Sequence, residues 1–143
     1  MSLPPEDMIC FALYSASQAM QQAYRPLLDM MGLTYPQYLV MSALWTGPET
    51  PTVGALGRQL GLDSSTLTPL LKRLEAGGLV TRRRDPKDER LVRIAMTDAG
   101  RALQASAADI PRCIAEKTGL TSEEIARLHG ELQALAARLR APD

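Results

Sequence analysis

The side chains in this chain that can do redox chemistry are two cysteines, Cys10 and Cys113. Cys10 lies in an apolar stretch near the start, with Tyr14 four residues on and so on the same helical face. Tyr24, fourteen residues from Cys10, returns near that face. A thiol near a helix N-terminus with phenolic donors beside it is stabilised as thiolate, the form that attacks a peroxide oxygen. Oxidation gives a sulfenic acid, which condenses with a second thiol within reach. The plainer use stays open for both cysteines, because a thiol on an apolar stripe also packs as a small hydrophobe.

Such a thiol needs a helix to hold it. Met8, Phe11, Ala12, Ser15 and Ala19 recur at helical spacing after two prolines and an acidic Glu6-Asp7 start. The pattern predicts a helix from Pro5 to about Asp29, with negative charge in its first turn and Cys10 one or two turns in. Pro26 is expected to end or bend it. Thr34-Tyr35-Pro36-Gln37 reads as a capping box with Leu33 and Tyr38 as its staple. It opens a helix carrying Leu39, Met41, Leu44 and Trp45, which stops at Gly47-Pro48.

The middle of the chain has a different character. Net charge is zero, yet residues 58–93 hold nine Lys/Arg against five Asp/Glu, and the remainder seven against eleven. A basic middle between acidic flanks marks one phosphate-facing surface. A short helix is expected from Thr52 to Gly61 with Val53, Leu56 and Leu60 inward. Asp63 is a strong N-cap for the next, whose buried face is Leu67, Leu70, Leu71 and Leu74. Pro69 should bend this helix slightly, and Gly77-Gly78 signal its end.

The opposite face of that helix presents Ser64, Ser65, Thr68, Lys72 and Arg73, with Thr66 flanking it. Short hydroxyls near a helix N-terminus suit base edges or phosphates, and the two cations suit the backbone. Residues 79–84 and 91–96 read as a hairpin joined by a polar tip from Asp85 to Arg90. Arg82, Arg83 and Arg84 precede the tip, where Asp88 is placed to hold the Arg90 guanidinium extended. An arginine so held fits a narrow minor groove. Each of these alone is an ordinary solvated face. In this order they are the layout of a winged helix-turn-helix, whose partner is double-stranded DNA.

Thr97 caps a helix from Asp98 to about Ala108, and Asp109-Ile110-Pro111 breaks and restarts it. Thr121 to Glu124 form a second capping box with Leu120 and Ile125 as staple. The last helix has Ile125, Leu128, Leu132, Leu135 and Leu139 on one stripe. The expected fold is mainly α with a small β-hairpin wing. One domain spans residues 1–143, with a DNA-binding core at about 33–97 and flanking dimerisation helices at 5–30 and 98–141. Those flanking helices either fold back on their own core or are covered by a second copy, and a twofold homodimer suits a palindromic operator.

With no secretory segment and no long apolar run, neither export nor membrane spanning is expected, which points to a reducing cytoplasm. One histidine and scattered acids make no metal cluster, and no glycine loop cradles a phosphate. No cofactor is expected.

From Leu33 through Gly100 the chain resembles the multiple-antibiotic-resistance regulator (MarR) family of dimeric bacterial winged-helix repressors. The carriers are Leu67-Thr68-Pro69-Leu70-Leu71-Lys72-Arg73-Leu74-Glu75, the following Gly-Leu-Val, and Asp88-Glu89-Arg90 leading to Met96-Thr97-Asp98-Ala99-Gly100. The resemblance implies that the Asp63 helix enters the major groove, that Arg90 enters the minor groove, and that the terminal helices form the dimer interface. The run from Cys10 to Ser17, then Tyr24 to Asp29, then Leu33 to Leu39 is similar to the organic hydroperoxide resistance regulators, a branch of that family. This likeness covers nearly the whole chain.

Carried over by position, Cys10 is the peroxidatic cysteine and Tyr14 and Tyr24 are its hydrogen-bonding tyrosines, supplied by the same chain or by the partner subunit. Cys113, near the end of the fifth helix, corresponds to the resolving cysteine of two-cysteine members. The implied function is a repressor that holds its operator when reduced. Organic hydroperoxide then oxidises Cys10, an intersubunit disulfide to Cys113 closes, and the DNA is released. Two other classes stay open. One is a repressor of this fold released by a small aromatic ligand, its cysteines passive. The other is a thiol peroxidase, against which stand the lack of a charged activator near Cys10 and a basic wing without purpose.

Overall fold

Two prolines decide how the chain starts. In the computed structural model, which describes residues 1–143, Pro5–Asp7 forms a single 3-10 turn and α1 runs Ile9–Asp29. The expected continuous helix from Pro5 is corrected. The turn is closed by the Asp7 and Met8 N–H groups on the Pro4 and Pro5 carbonyls, and Met8 is then extended at φ −89, ψ 131. Glu6 and Asp7 therefore serve the 3-10 turn, and α1 has no acid in its first turn. Cys10 becomes the second residue of α1 instead of lying a turn or two inside. Pro26 does not end the helix. It is on the exposed side, where water can serve the Gln22 carbonyl that the missing N–H leaves free.

The Thr34–Gln37 capping box is reciprocal. Gln37 N–H donates to Thr34 Oγ1 at 3.3 Å, and Thr34 N–H donates to Gln37 Oε1 at 2.9 Å. It starts α2 (Tyr35–Thr46), which buries Tyr38, Val40, Met41, Ala43 and Leu44. Thr52 caps α3 (Val53–Leu60), of whose inward residues Leu56 is buried and Val53 and Leu60 are half-buried. The turn into α4 needs glycine twice. Gly61 takes φ 68, and a Cβ on Gly57 would stand 2.7 Å from the Leu62 carbonyl oxygen.

Helix α4 (Ser64–Ala76) buries Leu67, Leu70, Leu71 and Leu74 as its spacing predicts, and it continues through Pro69. It ends where Gly78 turns left-handed at φ 77 and Leu79 N–H reaches the Leu74 carbonyl at 3.0 Å. Strands β1 (Val80–Arg84) and β2 (Val92–Met96) pair antiparallel, Val80 facing Met96 and Arg84 facing Val92. The other edge of β2 is covered by the chain before α3. Ile94 N–H donates to the Pro51 carbonyl at 2.9 Å, and Thr52 bridges to Arg93.

Helix α5 (Asp98–Ala107) was expected among the flanking helices, and it packs on the core. Thr97 Oγ1 accepts from Gly100 N–H at 3.1 Å and donates to the Gly78 carbonyl at 2.6 Å. The Trp45 indole N–H donates to the Gly100 carbonyl at 2.9 Å. These elements form a first unit, Met1–Ala108, around Leu28, Val40, Met41, Leu56, Leu67, Leu71, Val80 and Ile94.

The second unit is Asp109–Asp143. It contains α6 (Ile110–Thr118) and α7 (Ser122–Arg140). Pro111 has no N–H for the Ala107 carbonyl, so the chain restarts at Ile110. Cys113 is thus the fourth residue of a separate short helix, a correction to its placing near the end of the fifth. Thr121 Oγ1 accepts from Glu124 N–H at 3.1 Å, without a return bond from the glutamate, so the expected box is only half formed. Leu120, assigned to the staple, is 37% exposed. Of the leucines of α7, Leu128, Leu132 and Leu139 are exposed and Leu135 is half-buried. No helix is long and apolar enough to cross a membrane.

Candidate nucleic-acid interface and thiol site

The leucines of α4 face the core, so Ser64, Ser65, Thr66, Lys72 and Arg73 are exposed on the far side and Thr68 is half-buried. Asp63 Oδ1 accepts from the Ser65 hydroxyl at 2.7 Å and from Thr66 N–H at 2.9 Å. These bonds, the Ser65 one foremost, hold the Asp63 carboxyl below its ordinary range. Ser65 has therefore committed its proton to the cap and offers a ligand only its oxygen.

At the wing tip Asp88 grips Arg90 as a fork. Arg90 Nε donates to Oδ1 at 2.9 Å, Nη2 to Oδ2 at 3.0 Å, and the Arg90 N–H to Oδ1 at 3.1 Å. The Arg90 side chain is 89% exposed, a cation held out into solvent by one carboxylate. Thr52, Arg58, Thr68, Arg82 and Arg90 line a cleft of about 530 Å³ between α3, α4 and the wing.

Two of the other wing arginines, Arg82 and Arg84, are engaged by groups of the protein, and Arg83 is exposed. Arg82 is half-buried, its Nε on Glu75 Oε1 at 3.1 Å and its N–H on Oε2 at 3.1 Å, which ties β1 to the last turn of α4. Arg84 Nη1 donates to the Glu89 carbonyl at 2.8 Å and props the loop. Glu75, Asp85 and Arg93 were missed as functional positions. Asp85 is buried and binds Lys87 N–H, Asp88 N–H and Arg93 Nε. The Asp85-Pro86-Lys87-Asp88 run is a turn signal that could have revealed the first two bonds. Arg93 pairs opposite Arg83 on the hairpin, a like-charge contact that Asp85 relieves.

Hydrogen bonds to Ser65, Arg82, Arg93 and Arg90 lead the causes that lower the carboxyls of Asp63, Glu75, Asp85 and Asp88 respectively. Groups lowered on folding stabilise at every pH above their unfolded values, 3.8 for Asp and 4.5 for Glu, and lose that contribution as pH falls through the folded ones. The thermal midpoint of the reduced protein is therefore expected to hold steady down to about pH 5 and drop below it. A midpoint that falls already between about pH 8 and pH 6 would remove these carboxylates as the pH-sensitive groups.

Cys10 is exposed and unpaired in the first turn of α1, and Cys113 is half-buried and unpaired in α6. No hydrogen bond joins Cys10 to either expected phenol within the chain; the Tyr14 hydroxyl instead accepts from Gln18 Nε2 at 3.0 Å. For Tyr24 the reason is distance. It lies on the same helix as Cys10, and fourteen residues of rise amount to about 21 Å, beyond the reach of a tyrosine. Angular return to one face does not bring two residues together along the axis.

Tyr24 packs instead on Tyr35, ring centroids 5.1 Å apart, and on Tyr38 at 5.5 Å. Tyr38 in turn meets Trp45 at 6.4 Å. Burial first, then the neighbouring phenols, raise Tyr24 and Tyr35 above the ordinary value, so both stay protonated and remain donors at neutral pH. Tyr35 was read from the sequence only as part of a capping box, and its pairing with Tyr24 depends on how α1 and α2 cross.

Residues 22–106 match the family described as transcriptional regulator SarA/Rot. The organic hydroperoxide resistance transcriptional regulator of Bacillus subtilis (strain 168) is 46% identical over 134 residues, covering 94% of this chain and 90% of that protein. Reduced AbfR bound to DNA, a Staphylococcus epidermidis protein, superposes with a TM-score of 0.78 at 36% identity, covering 93% of this chain and 92% of that one. Disulfide-formed AbfR gives a TM-score of 0.67 at 36% identity, with 90% and 89% covered. These relatives are transcriptional regulators, not enzymes.

Proposed function

The chain belongs to the MarR/SarA-type winged-helix transcriptional regulators, in the branch of the organic hydroperoxide resistance regulators, and on that premise we propose that it is a cytoplasmic homodimeric repressor whose Cys10 senses organic hydroperoxide. The reduced dimer places its two α4 helices in successive major grooves of a palindromic operator. Ser64, Ser65, Thr66 and Thr68 lie against base edges and phosphates, Lys72 and Arg73 against the backbone, and each Arg90 enters a minor groove. Arg82 and Arg84 act from within the wing.

The placing of Cys10 carries this reading. The thiol is exposed among uncovered apolar residues, Ile9 at 70%, Phe11 at 44% and Tyr14 at 60% exposure, while Tyr24, far along α1, packs on Tyr35 at the start of α2. Two α1 helices crossing antiparallel about a twofold axis answer both facts. They cover the apolar stripe and bring the partner subunit's Tyr24 and Tyr35 over Cys10, reciprocally.

Thiolate attack then breaks the O–O bond of the hydroperoxide and forms an S–O bond. Sulfur is oxidised by two electrons, and the alcohol leaves after taking a proton. The thiolate of the partner's Cys113 next attacks the sulfenic sulfur, an S–S bond forms and water leaves. Each bond ties α1 of one chain to α6 of the other, shifts the spacing of the reading heads and releases the operator.

Tyr24→Phe keeps the ring's packing and removes one phenolic donor, so Cys10 oxidation should slow by roughly fivefold, the worth of about 1 kcal/mol. An unchanged rate in stopped-flow would take Tyr24 out of the mechanism. Cys113→Ser separates sensing from locking. Its Cys10 should still reach the sulfenate, which then persists, pairs with a small thiol or over-oxidises to the sulfinate. Without the intersubunit bond the response to peroxide should be incomplete or irreversible, with no covalent dimer. Recovery equal to the unchanged protein would make Cys113 a packing residue.

A further inference from the structure

One buried carboxylate has no part in reading DNA or sensing oxidant. Asp85 lies at the root of the wing tip, where charge is costly to bury unless it is fully paired. It is fully paired, and its partners point in two directions. Towards the tip, Oδ1 accepts from Lys87 N–H at 2.7 Å and Asp88 N–H at 3.2 Å, while Asp85 N–H donates to the Leu91 carbonyl at 2.9 Å. Towards the body, Oδ2 binds Arg93 Nε, and Arg93 Nη1 donates to the Thr50 carbonyl at 2.8 Å in the segment leading to α3. Beside it Ile94 N–H takes the Pro51 carbonyl at 2.9 Å.

The bonds run on from there. Asp88, whose N–H Asp85 holds, is the residue that forks Arg90. An unbroken path therefore leads from the chain before α3, through Arg93, Asp85 and Asp88, to the exposed guanidinium. We propose that Asp85 and Arg93 are positioning residues that aim Arg90 at DNA by fastening the wing tip to the helix-turn-helix. The proposal rests on the reading of Arg90 as a minor-groove contact.

The physical gain is preorganisation. A loose tip would lose its conformational freedom on every binding event, and a strapped tip has lost it already on folding. Arg93 spends its charge on Asp85, so it should displace no counterion of its own.

The test is a double-mutant cycle on the full-length dimer, measuring operator affinity at several salt concentrations. Asp85→Asn and Arg93→Gln are each expected to weaken binding by about tenfold, with the salt dependence unchanged. Arg90→Ala should weaken binding and lower the salt slope by about one per wing. In the Arg90→Ala background, Asp85→Asn and Arg93→Gln should then cost less than about twofold, because nothing is left to aim.

Equal losses with and without Arg90 would overturn the proposal, since the strap would then act through something else. So would no loss from either variant in the presence of Arg90, leaving the wing reading intact. If Arg90→Ala itself binds like the unchanged protein, the wing reading fails and the strap with it. Should Asp85→Asn fail to fold, Arg93→Gln leaves the Lys87 and Asp88 bonds in place and decides the question alone.

Discussion

Cys10→Ser is expected to hold the operator as tightly as the unchanged protein and to stay on it when an organic hydroperoxide is added. The substitution exchanges sulfur for oxygen at the second residue of α1, on an exposed surface and on a different element from α4 and the wing. Nothing that reads DNA is disturbed. The serine hydroxyl does not ionise near neutral pH and cannot form a sulfenic acid, so the chemistry stops before its first step. The effect is complete loss of response at full affinity, a combination that general destabilisation cannot imitate. A Cys10→Ser dimer that still leaves the operator on treatment with hydroperoxide would remove this thiol as the sensor.

Arg90→Ala is expected to weaken operator binding by roughly tenfold to a hundredfold while the dimer persists. The guanidinium is held away from the body of the protein by both oxygens of Asp88. That fork keeps the charge extended at no further entropic cost on binding, which suits a narrow groove of concentrated negative potential. Asp88 is held by Arg90 in turn, so the tip should be somewhat looser in the variant. Core residues such as Ile94 and Leu71 are untouched, and unfolding should change little. Undiminished affinity in a folded Arg90→Ala dimer would place the wing away from DNA.

Local patterns were legible in the residues, and contacts made by crossing elements were not. The leucines of α4 show their buried face through spacing alone, and the Thr34–Gln37 box and the Asp88–Arg90 fork join residues two or three apart. Their geometry follows from a single turn of backbone. Glu75 with Arg82, Asp85 with Arg93, and Tyr24 with Tyr35 sit seven to eleven residues apart, on elements whose meeting only the packed core determines. The charges of the wing could be counted, but not sorted into those that reach outward and those spent inside. At Cys10 the helical face was read correctly and the axial distance was not weighed. That distance keeps Tyr24 of the same chain from reaching Cys10, and the proposed dimer supplies this phenol from a second subunit instead.

Hydroperoxide added to the reduced, operator-bound protein at one equivalent per Cys10 tests the sensing scheme most directly, with DNA release and cysteine connectivity followed in the same sample. The scheme predicts that release tracks the appearance of covalent dimers on a non-reducing gel. Peptide mapping should find Cys10 joined to the partner's Cys113, two bonds per dimer, and a reductant should restore binding. Release with both thiols still free, or a complete Cys10–Cys113 bond in protein that stays on its operator, would contradict it.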